Sequence, residues 1–185
     1  MSVAPRSAAD VLAALAQDDP PKFLFFWGHR PERDGSAGVG CLSQWWPARF
    51  TVDGLEFATA EHYMMWRKAT LFGDDPMAEQ IRAAPHPHAA KALGGRVAGF
   101  DQPTWDEHRV PAVVAGNLAK FTQHPELRRF LVGTGQRILV EASPLDRIWG
   151  IGLTRDDPAA ADPARWQGLN LLGFALMKVR DGLRQ

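Results

Sequence analysis

The stretch RFTVDGLEFATAEHYMMWRKATLF, Arg49–Phe72, decides the fold class. Its first half alternates apolar and polar residues on either side of Asp53-Gly54. That dipeptide suits a two-residue turn with both φ angles positive, so the segment reads as a β-hairpin. In the second half the period changes. Thr59 is placed to cap a helix running to about Phe72, and the cluster Tyr63, Met64, Met65 and Trp66 marks that helix as largely buried. A hairpin leading straight into a buried helix belongs to an α+β domain.

The same helix poses a chemical question. Glu61 and Lys68 are two turns apart, and at ~100° per residue Lys68 returns to within ~20° of Glu61, about 10 Å along the axis. An acid and an amine on one stripe, among residues that belong in a core, either sit at the rim of that core or flank a pocket.

The flanking sequence adds helices. Ser7 caps a short helix through Ala16, which Pro20-Pro21 ends. KFLFFWG is a short aromatic strand stopped by Gly28, and Arg30 to Gly40 is a polar, glycine-rich, mobile loop. After Phe72, Pro76 opens a helix at its favoured first position. PHPH breaks the pattern, and a short helix follows to Leu93. Thr104 and Glu107 form a capping box before a long helix reaching about Gln123, bent by Pro111. PELRRFLVGTG is a further helix with Gly133 as its C-cap, and RILVEAS is a strand. GLNLLGFALMKVRDGL is a last helix with an apolar stripe at 169, 172, 176, 179 and 183. The expectation is one helix-rich α+β domain of about seven helices and a few short strands, residues 21–185, after an N-terminal extension, 1–20.

Composition narrows the function. The 185 residues carry 21 basic and 21 acidic side chains, so no global field draws the chain to nucleic acid or a membrane surface. One cysteine, Cys41, excludes a disulfide framework and a cysteine zinc site, and reads as a small core residue. The N-terminus lacks the basic start and apolar run of a secretion signal, and no stretch approaches the ~18 apolar residues of a membrane span, so a cytoplasmic protein is expected. His86 and His88 flank a proline without a third ligand at metal spacing. Arg128-Arg129 reads as a solvated helix face. The glycines of GSAGVG neither follow a strand nor open a helix, and are no dinucleotide fingerprint. The segment EASPLDRIWGIG, after a strand, suits either a ligand loop or a turn packed on Trp149. Asn170 either caps the last helix or meets a ribose hydroxyl.

Taken in order, the blocks LSQWWPARFTVDGLEFATAEHYMMWRKA, IRAAPHPHAAKALGGRV, AGNLAKFTQHPELRRFLVGTG, LVEASPLDRIWGIGL and WQGLNLLGFALMKVRDGL resemble the NADAR, or YbiA-like, family over roughly residues 23–183. The resemblance implies an N-glycosidase; no cofactor is expected, and no metal, because no cluster of His, Cys or carboxylates has ligand spacing. The enzyme's substrate would be a phosphoribosylamino-pyrimidine intermediate of riboflavin biosynthesis, or ADP-ribosylated guanine, free or in DNA. The alternative is a module that binds ADP-ribose or a nucleotide without turnover. Carried over by position, Glu61 of AEHY is the catalytic acid, with Lys68 and Asp146 as further catalytic groups. Trp105, Lys120, Trp149, Gly150 and Asn170 are substrate-binding. Lys68 is open to two roles: holding the phosphate, as Lys120 or Arg67 would, or attacking the opened sugar as a Schiff-base amine. The chain departs from the family at Gln44, where Asn is usual, and in the glycine-rich loop at 35–40 before Trp45-Trp46.

Overall fold

A computed structural model describes residues 5–184. In chain order its elements are α1 (Ala8–Leu15), β1 (Phe23–Phe26), β2 (Phe50–Val52), β3 (Leu55–Phe57), α2 (Ala60–Leu71), α3 (Asp75–Arg82), α4 (Pro87–Gly94), α5 (Gln102–Gln123), α6 (Pro125–Gly133), β4 (Ile138–Glu141) and α7 (Leu171–Leu183). This is an α+β domain whose contacts group into two units, Gln44–Pro125 and Met1–Ser43 with Glu126–Gln185. Among the described residues no helix is long and apolar enough to cross a membrane.

In the unit 44–125 the hairpin forms as the alternation requires. Phe50 pairs with Phe57 and Val52 with Leu55, while Asp53 and Gly54 take φ of 49° and 79°. The hairpin's inner face meets α2 through rings: Phe57 lies 5.1 Å from Tyr63 and 5.2 Å from Trp66 between centroids. Such tilted and edge-on contacts are the preferred aromatic geometry and bury much of the aromatic content in packing. Thr59 caps α2, its Oγ1 accepting from His62 N at 3.4 Å. The Thr59 hydroxyl also meets His62 Nδ1 at 2.8 Å, and His62 Nε2 lies 3.1 Å from the Ala84 carbonyl. A carbonyl only accepts, so Nε2 carries the proton and Nδ1 accepts from the hydroxyl.

Two helix starts differ from the sequence expectation. Asp101, not Thr104, caps α5: its carboxylate accepts from Thr104 N at 2.9 Å and from the Thr104 hydroxyl at 2.6 Å. An acidic side chain one turn earlier takes the capping role, so the Thr104–Glu107 pair falls inside the helix. The PHPH stretch, read as a break, opens α4: His86 Nδ1 accepts from Ala89 N at 3.1 Å and Pro87 stands at the start, where no amide proton is missed. α5 runs through Pro111 without interruption. It packs closely on α2 at Gly116, where a Cβ would lie 2.5 Å from the Tyr63 ring.

In the other unit β1 lies parallel to β4, in register from Phe23 with Ile138 to Phe26 with Glu141. Ile138, Leu139 and Val140 are buried, and α7 covers β4 with Leu172, Leu176, Val179 and Leu183. Leu169, assigned to that stripe from the sequence, precedes the helix and is 54% exposed. The glycine-rich loop is shorter than its composition suggested: Val39–Leu42 is a 3-10 turn with Cys41 and Leu42 buried. In the segment read as an extension, Ser7 Oγ accepts from Asp10 N at 3.2 Å to cap α1, and α1 buries Val11 against the turn Pro163–Arg165.

Candidate active site

Glu61 occupies the first turn of α2 and is only 3% exposed. A carboxylate at a helix N-terminus is favoured by the free amides there, but burial to that degree costs solvation that an exposed cap does not lose. Around it the unit is unusually polar for an interior. The Gln44 carbonyl accepts from Glu61 N at 3.0 Å. The Gln44 side-chain oxygen accepts from Asn117 Nδ2 at 2.6 Å, and the same Nδ2 donates to the Val113 carbonyl at 2.8 Å.

These contacts set both amides. Val113 offers only an acceptor, so the Asn117 nitrogen must face it, and Gln44 must then present its oxygen to Asn117. What remains is a donor, Gln44 Nε2, and an acceptor, Asn117 Oδ1, both buried and without a partner among the described residues. Each such group costs about 1–3 kcal/mol. Lys120 follows Asn117 by three residues on the same face of α5 and is fully buried. Gln44 links the two helices, its backbone carbonyl bonded to the first turn of α2 at Glu61 and its side chain to Asn117 on α5. A buried acid, a buried lysine and two incompletely bonded amides are a poor way to stabilise a core and a common way to build a site. The sequence reading did not single out Asn117. Its signal was the helical spacing to Lys120.

Lys68 shares the Glu61 stripe, but its amine is engaged elsewhere. Nζ donates to the Gly94 carbonyl at 2.9 Å and lies 4.0 Å from the Phe100 ring centroid. The carbonyl is the last of α4, where the helix dipole favours a cation. Burial nonetheless holds the Lys68 pKa below the ordinary lysine value.

Trp105 is also apart from Glu61. With Tyr63, Arg67, His108 and Ala112 it lines a cavity of about 260 Å3. Tyr63 stands ~200° around α2 from Glu61, so the cavity and the acid occupy opposite faces of the helix.

The other unit holds the remaining sequence-derived residues in one tight knot. Asp146 Oδ1 accepts from Ile148 N at 2.9 Å and from Trp149 N at 2.8 Å, which orients the carboxylate. At Gly150 a Cβ would lie 2.8 Å from the Glu141 carbonyl and 2.9 Å from that of Asp146, so only glycine fits. Half-buried Trp149 passes the chain to it. Asn170, with a left-handed φ of 53°, accepts from Glu141 N at 2.9 Å and donates to the Leu139 carbonyl at 3.0 Å. Both ends of its amide are thus bonded to β4. Asn170 stands at the N-cap position of α7, but its side chain makes no cap bond there and instead clips the helix start to the strand. His86 serves α4 as described, and among the described residues no three His, Cys, Asp or Glu side chains form a group able to hold a metal ion.

Comparison with known proteins agrees with the resemblance read from the blocks. Residues 25–184 match the NADAR domain. An N-glycosidase of Acanthamoeba polyphaga mimivirus is 43% identical over 169 residues, covering 89% of this chain and 98% of that protein. N-glycosidase YbiA of Escherichia coli is 32% identical over 138 residues, 75% of this chain and 76% of its own. The NMR structure of E. coli YbiA superposes with a TM-score of 0.67 at 27% identity, covering 94% of this chain and 92% of that one. With the family match spanning nearly the whole chain and relatives named as N-glycosidases, hydrolases of N-glycosyl bonds, this protein belongs to the NADAR family.

Proposed function

We propose that the chain hydrolyses the bond between a ribose anomeric carbon and the nitrogen of a base, with Glu61 as the carboxylate at the reacting carbon. The observation that carries the reading is the buried polar group of Gln44, Glu61, Asn117 and Lys120 within one unit. Breaking a ribosyl C–N bond passes through an oxocarbenium-like state, and a desolvated carboxylate stabilises that positive charge far better than a solvated one. Glu61 then takes a proton from water as the water oxygen bonds to the anomeric carbon. The electron pair of the broken bond leaves with the base, which is protonated in turn. The open positions on Gln44 and Asn117 suit the amide-like edge of a flat heterocycle, a donor and an acceptor for groups that otherwise stay unmet. In the other unit, Asp146 and Trp149 are proposed as catalytic and substrate-binding residues on the strength of the matching family block alone.

Two substrate classes fit, a phosphoribosylamino-pyrimidine and an ADP-ribosylated guanine, free or in DNA. Incubation with each, followed by chromatography of released base and sugar, separates them. One substrate should be cleaved without added metal, and Glu61→Gln should lose at least about 100-fold in turnover while melting normally. Wild-type turnover by Glu61→Gln overturns the assignment of Glu61. Tight binding of both compounds with cleavage of neither would replace hydrolysis by the nucleotide-binding alternative.

A further inference from the structure

The cavity on the far face of α2 has no part in the chemistry above, yet its lining is that of a binding site. Its walls are apolar, from Leu71, Pro111, Ala112 and the faces of Tyr63 and Trp105. Its polar groups are nearly all donors. Tyr63 and Trp105 are more than nine-tenths buried, and neither the phenol oxygen nor the indole nitrogen is a fully buried atom, so each polar tip still reaches solvent-accessible space.

Arg67 stands at the exposed side with its guanidinium 5.9 Å from the Trp66 ring centroid, and among the described residues no carboxylate pairs with it. His108 approaches the Thr104 carbonyl with Nδ1 at 2.8 Å, so Nδ1 carries a proton and Nε2 is its remaining polar position. A flat apolar slot ending in a guanidinium, with two further donors in its wall, is complementary to a ring bearing an anionic, planar acceptor. A carboxylate matches the guanidinium fork through two parallel hydrogen bonds. The volume limits the ligand. A cavity of about 150 Å3 holds benzene, and drug-sized ligands occupy about 300–1,000 Å3. The roughly 260 Å3 here has room for one ring with a carboxylate.

We propose that this cavity is a binding site for a small single-ring aromatic carboxylate, seated between Tyr63 and Trp105 with its carboxylate on Arg67. The site is independent of the hydrolytic reading, because it lies on the opposite face of α2 and uses none of Gln44, Glu61, Asn117 or Lys120.

Benzoate is a suitable probe, and the reporter is the Trp105 indole N–H resonance in a 15N-labelled sample, identified by its loss in Trp105→Phe. Titration should move that resonance saturably, with a dissociation constant on the order of 0.1–1 mM, ordinary for so few atoms. Two variants at exposed positions preserve the fold, as an unchanged melting temperature would verify. Arg67→Gln should weaken benzoate about tenfold or more, and Ala115→Phe, which puts a ring into the space, should abolish the shift. Toluene, lacking the charge, should bind about tenfold more weakly or not at all, and inorganic phosphate should leave the resonance in place. A resonance unmoved by benzoate up to about 10 mM, binding undiminished in Arg67→Gln, or toluene binding as well as benzoate would each overturn the proposal.

Discussion

Replacing Lys68 by methionine separates the two roles that its position on α2 invites. Methionine keeps the unbranched length and the packing of the stem while removing the ammonium. The structure assigns that ammonium two contacts, a 2.9 Å hydrogen bond to the Gly94 carbonyl and a 4.0 Å approach to the Phe100 ring. A hydrogen bond involving a charged group contributes about 1.5–3 kcal/mol, and a partly exposed cation–π contact about 0.5–1 kcal/mol. Against these stands the solvation that burial takes from the amine, seen in its lowered pKa, which methionine does not lose. The net expected loss is about 1–3 kcal/mol, or roughly 3–9 °C in melting temperature for a chain of this size. Turnover measured well below the new melting temperature should fall only a few-fold, because the amine is held two turns from Glu61 on the end of α4. The same assay with borohydride present should trap no covalent adduct. If Lys68→Met melts like wild type but loses more than about 1,000-fold in turnover, or if borohydride inactivates the wild type with modification at Lys68, the amine is the nucleophile and its structural assignment here is wrong.

Three further outcomes follow from other parts of the fold. Asn170→Ala removes both bonds to β4 and places alanine in a left-handed conformation, so urea unfolding should show a loss of about 2–4 kcal/mol; a loss below about 1 kcal/mol would mean the clip is dispensable. His62, buried and neutral, has its pKa held below 6.5 by desolvation. The folded state therefore binds fewer protons than the unfolded chain in the window below 6.5, and stability should be full above it and fall as pH drops toward the lowered folded value. A urea midpoint that falls from about pH 7 to pH 5 in the wild type and equally in His62→Gln would assign the loss to other groups. Hydrolysis should survive a chelator, since neither the sequence nor the residue types around Glu61 form a metal-ligand set. Activity lost to the chelator and restored by a single metal would contradict this.

The sequence by itself determined what depends on neighbours along the chain. Asp53-Gly54 sets its hairpin because few other dipeptides accept two positive φ angles, Thr59 caps α2 three residues ahead of His62, and the 172–183 stripe seeks a core. The position of Glu61 and the family blocks were legible in the same way, as ordered words in one string. Tertiary structure decided whatever depends on which distant group arrives. The pairing of Phe23 with Ile138, the Gly94 carbonyl that takes the Lys68 amine, and the strand that takes both ends of the Asn170 amide all lie far away in sequence. No local propensity distinguishes a side chain that meets a ligand from one that meets another backbone. Asn117 looks in sequence like an ordinary position of a long helix, and only tertiary packing buries it together with Lys120. The cavity on the other face of α2 depends on the same packing. Once Gly116 admits the Tyr63 ring, the bulk of Trp105 and the small side chains of Ala112 and Ala115 settle how much space remains between the helices.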